Sequence, residues 1–258
     1  MARAASVSAY HPTQTSGTAV PDHNLAAYPA IAWKENSRDY SIMNIEHSNF
    51  HSVGLVAEVK IQSPFGFKSK RSWDQLFEIA IEYGDVVSIH VSPEWAGSTK
   101  LIEKAYPKCA EKGIPILAKG IRIDDTLAHE CLKCGANFFL SHDQYMHDYF
   151  EPGTVWQELP PIKQNDTFMG MKLCRDRVYV VNARNIASGE DAPDHWDYIR
   201  RLHPWVSPIT TYGFGDKSGG VLVQASKIKT IKDIKPDANM VIVGEHLPEF
   251  IKDLNECT

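Results

Sequence analysis

Glu58 and Lys60 stand two residues apart in VAEVKIQSPFG, residues 56–66, where an apolar run meets a Ser-Pro break. Side chains alternate along a strand, so both project with Val56 to one side while Ala57 and Val59 share the other. A solvated edge strand would carry such a face, and so would the rim of a site where a carboxylate and an ammonium exchange protons with a ligand. Similar groups stand towards the ends of later apolar runs: Lys119 in PILAK, Glu158 in VWQEL, and Asn182 and Arg184 in VYVVNAR. Brought to one mouth, two lysines, two carboxylates, an amide and a guanidinium would shift one another's proton affinities, which suits proton transfer to and from a bound anion. A structural ion pair is the alternative for each taken singly.

The elements that would have to position these groups can be read from periodicity. Short runs rich in β-branched residues lie at 54–60, 86–91, 115–119, 137–141, 155–159, 178–184, 221–226 and 239–244. Amphipathic stretches lie between several of them, at 72–84, 98–113, 124–135 and 192–204. Strands alternating with helices imply repeated βα units and a parallel sheet. Eight such strands over about 200 residues fit a (β/α)8 barrel of TIM type at the compact end of its range. The fifth strand has little room for a helix on either side. An open doubly wound sheet is the other arrangement, but no glycine-rich dinucleotide fingerprint follows the first strand. In a barrel both faces of every strand are covered, so the charged ends point into the mouth at the C-terminal face, where barrel enzymes hold their chemistry.

Residues 1–50 are rich in Ala, Ser, Thr, Pro, His and Asn without sustained periodicity, which predicts an irregular N-terminal extension ahead of a barrel spanning 51–258. Length and composition are those of a soluble globular chain. Apolar runs fall short of the roughly 20 residues a bilayer helix needs, and the first residues lack the apolar core of a secretory signal, so a cytoplasmic protein without membrane contact is expected. A formal net charge of -5 offers no general attraction to nucleic acid, though it leaves room for a local basic pocket holding a small anion. The five cysteines imply reduced thiols rather than a disulfide framework. Cys131 and Cys134 form a C-x-x-C with no second ligand pair at similar spacing, so both read as ordinary residues of a helix ended by Gly135, and no metal or other cofactor is expected. The sequon at Asn165 carries little meaning in that setting.

Loops add a second kind of site. Ser63 follows the first strand, Ser226 and Lys227 follow the seventh, and Gly244 and Glu245 follow the eighth. Backbone N–H groups after the seventh and eighth strands of such barrels commonly hold phosphate. A glycine that merely permits a tight turn is the alternative for Gly244.

With these residues in place, the chain resembles indole-3-glycerol phosphate synthases from about Val53 to Leu247. VAEVKIQSP resembles the A-E-x-K-x-x-S-P of that family's first strand, VSIHVSPEWAGS its second strand and loop, and ILAKG its third-strand lysine. VYVVNARN is similar to the sixth-strand G-I-N-x-R-D, QASKIKTIKDI to the seventh-strand E-S-G-I-K-T-x-x-D-V, and VIVGEHL to the closing V-G-E-A-L. The resemblance implies ring closure of a 1-(2-carboxyphenylamino)-1-deoxyribulose phosphate to an indole, with loss of carbon dioxide and water. Lys119 would then be the general acid and Lys60 would assist charge change and dehydration. Glu158 would be a partner acid/base, and Glu58 and Asn182 would orient substrate and lysines. Trp95 would pack on the substrate ring, with core packing as its alternative. Ser63 and the loops after strands seven and eight would hold phosphate, with Arg184, Ser226, Lys227, Gly244 and Glu245 completing the binding set.

The chain also departs from the family pattern. The seventh-strand glutamate is replaced by Ala225, or by Gln224 if the register slips by one. Ile61, Gly120, Asn185 and Lys227 stand where the family has a basic residue, two aspartates and a glycine, and its N-terminal helix is not recognisable. Lys227 would add positive charge near the phosphate. A small phosphorylated or similarly anionic substrate is thus the expected partner. A diverged lyase acting on another anion and a non-catalytic binding barrel are the other readings, and the set Glu58, Lys60 and Lys119 argues against the last.

Overall fold

The computed structural model describes residues 53–151, 153–159, 177–184, 196, 221–235 and 238–257. The expected extension at 1–50, most of the helix read at 192–204, Asn165, Cys174 and Asn185 lie outside them.

Eight parallel strands close into a barrel in chain order: β1 (Gly54–Val59), β2 (Val86–His90), β3 (Ile116–Lys119), β4 (Phe138–Ser141), β5 (Val155–Leu159), β6 (Val178–Asn182), β7 (Val221–Ala225) and β8 (Met240–Val243). Closure runs through the β1–β8 ladder, where Val56 stands beside Ile242 and Ala57 beside Val243. The (β/α)8 expectation therefore holds. Ladder pairing stops one or two residues short of the apolar patterns at the ends of β1, β2, β6, β7 and β8, where Lys60, Val91, Arg184, Ser226 and Gly244 already belong to loops. At those points the chain turns over the rim, with Lys60 and Arg184 keeping the inward register of their strands.

Alternation sorts the strand residues into two shells. Val56, Val86, Leu117, Phe138, Leu140, Trp156, Val178, Val180, Val223, Ala225, Met240 and Ile242 form one buried cluster filling the barrel. Phe138 and Trp156 stack within it, ring centroids 5.4 Å apart. The opposite parity, including Leu55, Ala57, Ile89, Ala118, Phe139, Tyr179, Leu222 and Val241, joins the larger cluster beneath the helices. Each fully buried large apolar side chain contributes about 1.5–3 kcal/mol by its removal from water. This parity resolves the seventh strand: Ala225 faces the interior. Gln224 faces outward, its Nε2 donating to the Asp233 carbonyl at 2.8 Å and its Oε1 accepting from Lys235 N–H at 2.7 Å.

Four α-helices lie among the described residues: α1 (Trp73–Tyr83), α2 (Thr99–Lys112), α3 (Asp125–Lys133) and α4 (Leu247–Cys257). A capping box starts α1, with Ser72 Oγ accepting from Gln75 N–H and Gln75 Oε1 accepting from Ser72 N–H. Its face of Trp73, Leu76, Phe77, Ala80 and Ile81 is buried. Asp124 caps α3 by accepting from Leu127 N–H at 2.8 Å. Gly113 ends α2 in the left-handed conformation that glycine adopts without steric cost. Short 3-10 turns, Gln144–Asp148 and Ile231–Asp233, stand after β4 and β7. The turn after β4 occupies the stretch that the sequence left too short for a helix. No helix among the described residues is long and apolar enough to cross a membrane.

Cys131 is buried on α3, and burial pushes its thiol up to about 12. Cys134 caps the end of the same helix, its Sγ 3.5 Å from Glu103 Oε1, and both thiols are free.

Candidate active site

Glu58 is the hub of the barrel mouth. It is the inward residue near the end of β1 and only 4% exposed. Lys119 Nζ, from the end of β3, donates to Glu58 Oε2 at 2.9 Å. His90 Nε2, from the end of β2, lies 2.7 Å from Glu58 Oε1. Burial alone would raise the Glu58 carboxyl, but the charges of Lys119, His90 and Lys60 and the His90 hydrogen bond hold it well below the carboxylate range. Burial pulls Lys119 down in turn, yet Glu58, Glu158 and Glu245 outweigh it and hold its pKa above the usual lysine value. Burial lowers His90, the charge and hydrogen bond of Glu58 raise it, and the balance lies below the ordinary histidine value. An ionised carboxylate can only accept, so Nε2 is the ring nitrogen that donates to Glu58 Oε1.

Gly244, just past β8, makes room for this hub. A Cβ at that position would meet Glu58 Cδ at 2.8 Å and its two oxygens at 3.0 and 3.1 Å. The glycine therefore admits the carboxylate as well as turning the chain.

A second cluster lies beside the first. Glu245 Oε1 accepts from Lys60 Nζ at 2.9 Å and from Arg184 Nη1 at 3.0 Å. Burial would raise Glu245, and the two cations lower it on balance. Lys60 Nζ also stands 5.9 Å from the Phe67 ring centroid. Lys60, Arg184 and Glu245 thus form one ion-paired group to which an anionic ligand could bind only by competing with a carboxylate.

The third group comes from β4–β6. Asn182 Nδ2 donates to Glu158 Oε1 at 2.6 Å, and Asn182 Oδ1 accepts from Arg184 N–H at 3.0 Å. Glu158 Oε2 is buried without a hydrogen bond, and His142 Nε2 stands 3.5 Å from it. Glu158 lies close enough to raise the pKa of Lys119, which links the three groups into one mouth.

The loop residues are used as follows. Ser63 Oγ accepts from Phe67 N–H at 3.3 Å and Ser63 N–H donates to the Phe67 carbonyl at 2.9 Å, fixing the turn after β1. Trp95 ends a 3-10 turn, Pro93–Trp95, and is buried. One of its faces stacks on His90, with centroids 5.3 Å apart and planes 4° from parallel, and Phe65 meets it edge-on at 6.0 Å. Ser226 Oγ accepts from Ala183 N–H at 3.0 Å, tying β7 to β6. Ser226 and Lys227 are both left-handed, with φ of 63° and 57°. Two successive non-glycine residues in that region cost about 1–3 kcal/mol each and mark a loop whose shape is held by its surroundings.

Every candidate from strand ends thus reaches one mouth: Glu58, Lys60, Lys119, Glu158, Asn182 and Arg184, joined by Glu245 and Gly244. Two members escaped the reading of strand ends, His90 and His142. Both lie on the inward parity of their strands, and the parity rule that selected Glu58, Lys60 and the uncharged Asn182 selects them as well. The mouth holds an ammonium that can donate a proton, a carboxylate beside it, and two further cations that could meet an anion. Among the described residues no group of three or more His, Cys, Asp or Glu side chains could hold a metal ion.

No protein-family model matches the chain, and no curated protein matches it.

Proposed function

We propose that the protein is a carboxy-lyase of the indole-3-glycerol phosphate synthase type, closing the ring of a carboxyphenylamino-deoxyribulose phosphate with loss of carbon dioxide and water. The observation that carries this reading is the half-buried Lys119 ammonium, held in the mouth by Glu58 with Glu158 nearby. The resemblance supplies the substrate, and the geometry supplies groups suited to each proton movement.

The ring carbon bearing the carboxylate attacks the ketose carbonyl while Lys119 Nζ gives a proton to the carbonyl oxygen, so a C–C bond forms and an alcohol replaces the ketone. The carboxylate carbon then leaves as carbon dioxide, and its bonding electron pair restores the aromatic ring. In dehydration the same oxygen takes a second proton, assigned to Lys60, and departs as water. Glu158 removes one proton from the adjacent carbon to complete the indole double bond. Two protons are added and one removed, which balances the loss of the substrate's carboxylate charge. Arg184 and the loops after β7 and β8 suit the phosphate, with Ser63, Ser226 and Lys227 shaping that rim.

Ala225 favours a second reading, because an inward alanine stands where the resemblance has a glutamate. Under it, the same lysine chemistry serves another anionic substrate. Indole fluorescence after adding the carboxyphenylamino-deoxyribulose phosphate separates the two. Turnover in wild type, abolished in Lys119→Ala, supports the synthase. Binding of the substrate without indole formation in wild type points to the diverged lyase, and failure to bind any such anion rejects both.

A further inference from the structure

We propose that His90 is a positioning residue that aims the acid Lys119 by occupying one oxygen of Glu58 and leaving the other for the ammonium. Its consequence for turnover rests on the function proposed above; its geometry does not. Glu58 has two oxygens and two strand-end partners, one to each: His90 Nε2 to Oε1 at 2.7 Å and Lys119 Nζ to Oε2 at 2.9 Å. His90 and Lys119 are register neighbours on β2 and β3, so the ladder fixes the base of both side chains. The imidazole is held on its other side by the parallel Trp95 ring. Without the His90 donor, the carboxylate could rotate and offer either oxygen, or both, to the ammonium.

A relay role does not fit the same geometry. Conducting a proton through His90 to Glu58 would require a group delivering it to Nδ1, and Nδ1 is buried with no hydrogen-bond partner. The charged groups acting on His90 are Glu58, Lys119 and Lys60, and Trp95 is the neighbour covering its ring face. A neutral donor is the form that adds direction at Glu58 without competing with Lys119 as a second cation. This use of the second strand is a feature of the chain's own sequence: the segment VVSIH places a histidine at the last inward position of the strand, after Val86 and Ser88.

Two variants and one spectrum test the proposal. Gln places its Nε2 where the imidazole Nε2 lies, so His90→Gln keeps the donor, whereas His90→Leu fills much of the space without one. Misplacing a catalytic group by about 1 Å costs on the order of 100-fold. His90→Leu should therefore lower kcat about 10- to 100-fold with KM changed less than about twofold, and His90→Gln should restore kcat to within about fivefold of wild type. Equal losses in both variants, or wild-type kcat in His90→Leu, would overturn it. Two-bond 1H–15N spectra of the wild type should show a neutral His90 ring protonated at Nε2, assigned by its disappearance in His90→Gln. An Nδ1–H tautomer or an imidazolium at neutral pH would overturn the proposal even if a variant failed to fold. Absence of indole formation in wild type would instead sink the proposed reaction, leaving the spectrum to decide the geometry.

Discussion

The carboxylate of Glu58 decides how the mouth is charged, and its environment makes it sensitive to changes a few ångströms away. Gly244→Ala would place a methyl against a carboxylate already pinned by His90 and Lys119. The expected result is a loss of about 10- to 100-fold in kcat from displacement of the Glu58–Lys119 pair, with only about 1–2 kcal/mol of stability lost to overpacking. Comparison of kcat with urea midpoints for this variant checks both parts. The pH dependence of stability follows from the same groups. His90 has a folded pKa below its ordinary 6.5, so stability starts to fall as pH drops through that value, because the unfolded chain then binds the extra proton. Glu58, depressed from an ordinary 4.5, adds a further loss at lower pH, complete once its folded pKa is passed. Lys119, raised above 10.5, stabilises at neutral pH and loses that contribution as pH rises through its folded value. Urea midpoints measured from acid to alkaline pH in wild type and Glu58→Gln should show the variant less stable at neutral pH and its acid slope reduced. A variant with an unchanged profile would contradict the assignment of Glu58 as the hub. At this scale the sequence was legible through parity and formal charge. His90 and His142 share the inward register and were passed over, although parity selects them as it selected the uncharged Asn182.

At the scale of elements, strand order and closure followed from alternating patterns, while the ladder ends did not. Lys60 and Arg184 continue the strand pattern for one or two residues after pairing stops, because side-chain parity depends on extended backbone and pairing depends on a neighbouring strand, whereas Ser226 turns into the left-handed region at once. The helix α4 was not among the amphipathic stretches read from the sequence. Pro248 occupies its first turn, where the lost N–H would have had no partner in any case. The loop after β7 shows what sequence reading could not weigh. Lys227 takes the left-handed conformation that the corresponding glycine of the resembled family would adopt freely. Lys227→Gly should therefore raise stability by about 1 kcal/mol by relieving that conformation. If the lysine serves the anion, the same variant should weaken binding of inorganic phosphate, measured by calorimetry. Lower stability together with unchanged binding would remove both the strain and the charge assigned to this residue.

For the whole molecule, the barrel explains why residues from Glu58 to Glu245, far apart in sequence, act within one space. Parallel closure brings the C-terminal ends of β1, β2, β3, β5 and β6 to a single rim, with an apolar floor of interior side chains beneath them. Carboxylates and cations balance there, so an anion of the proposed kind would have to take the place of an internal partner, with Glu245 the most accessible of the three acids. The fold was legible because eight short apolar runs recur along the chain with amphipathic stretches between several of them. The substrate was not legible to the same degree, since Ala225 and Lys227 alter the polar set without altering the frame. The most direct measurement is release of labelled carbon dioxide from substrate carrying carbon-13 in its carboxyl group, followed together with indole formation. Wild type should release one labelled carbon dioxide per indole and Lys119→Ala should release none; no release from wild type, or equal release from both, would contradict acid catalysis by Lys119 in this mouth.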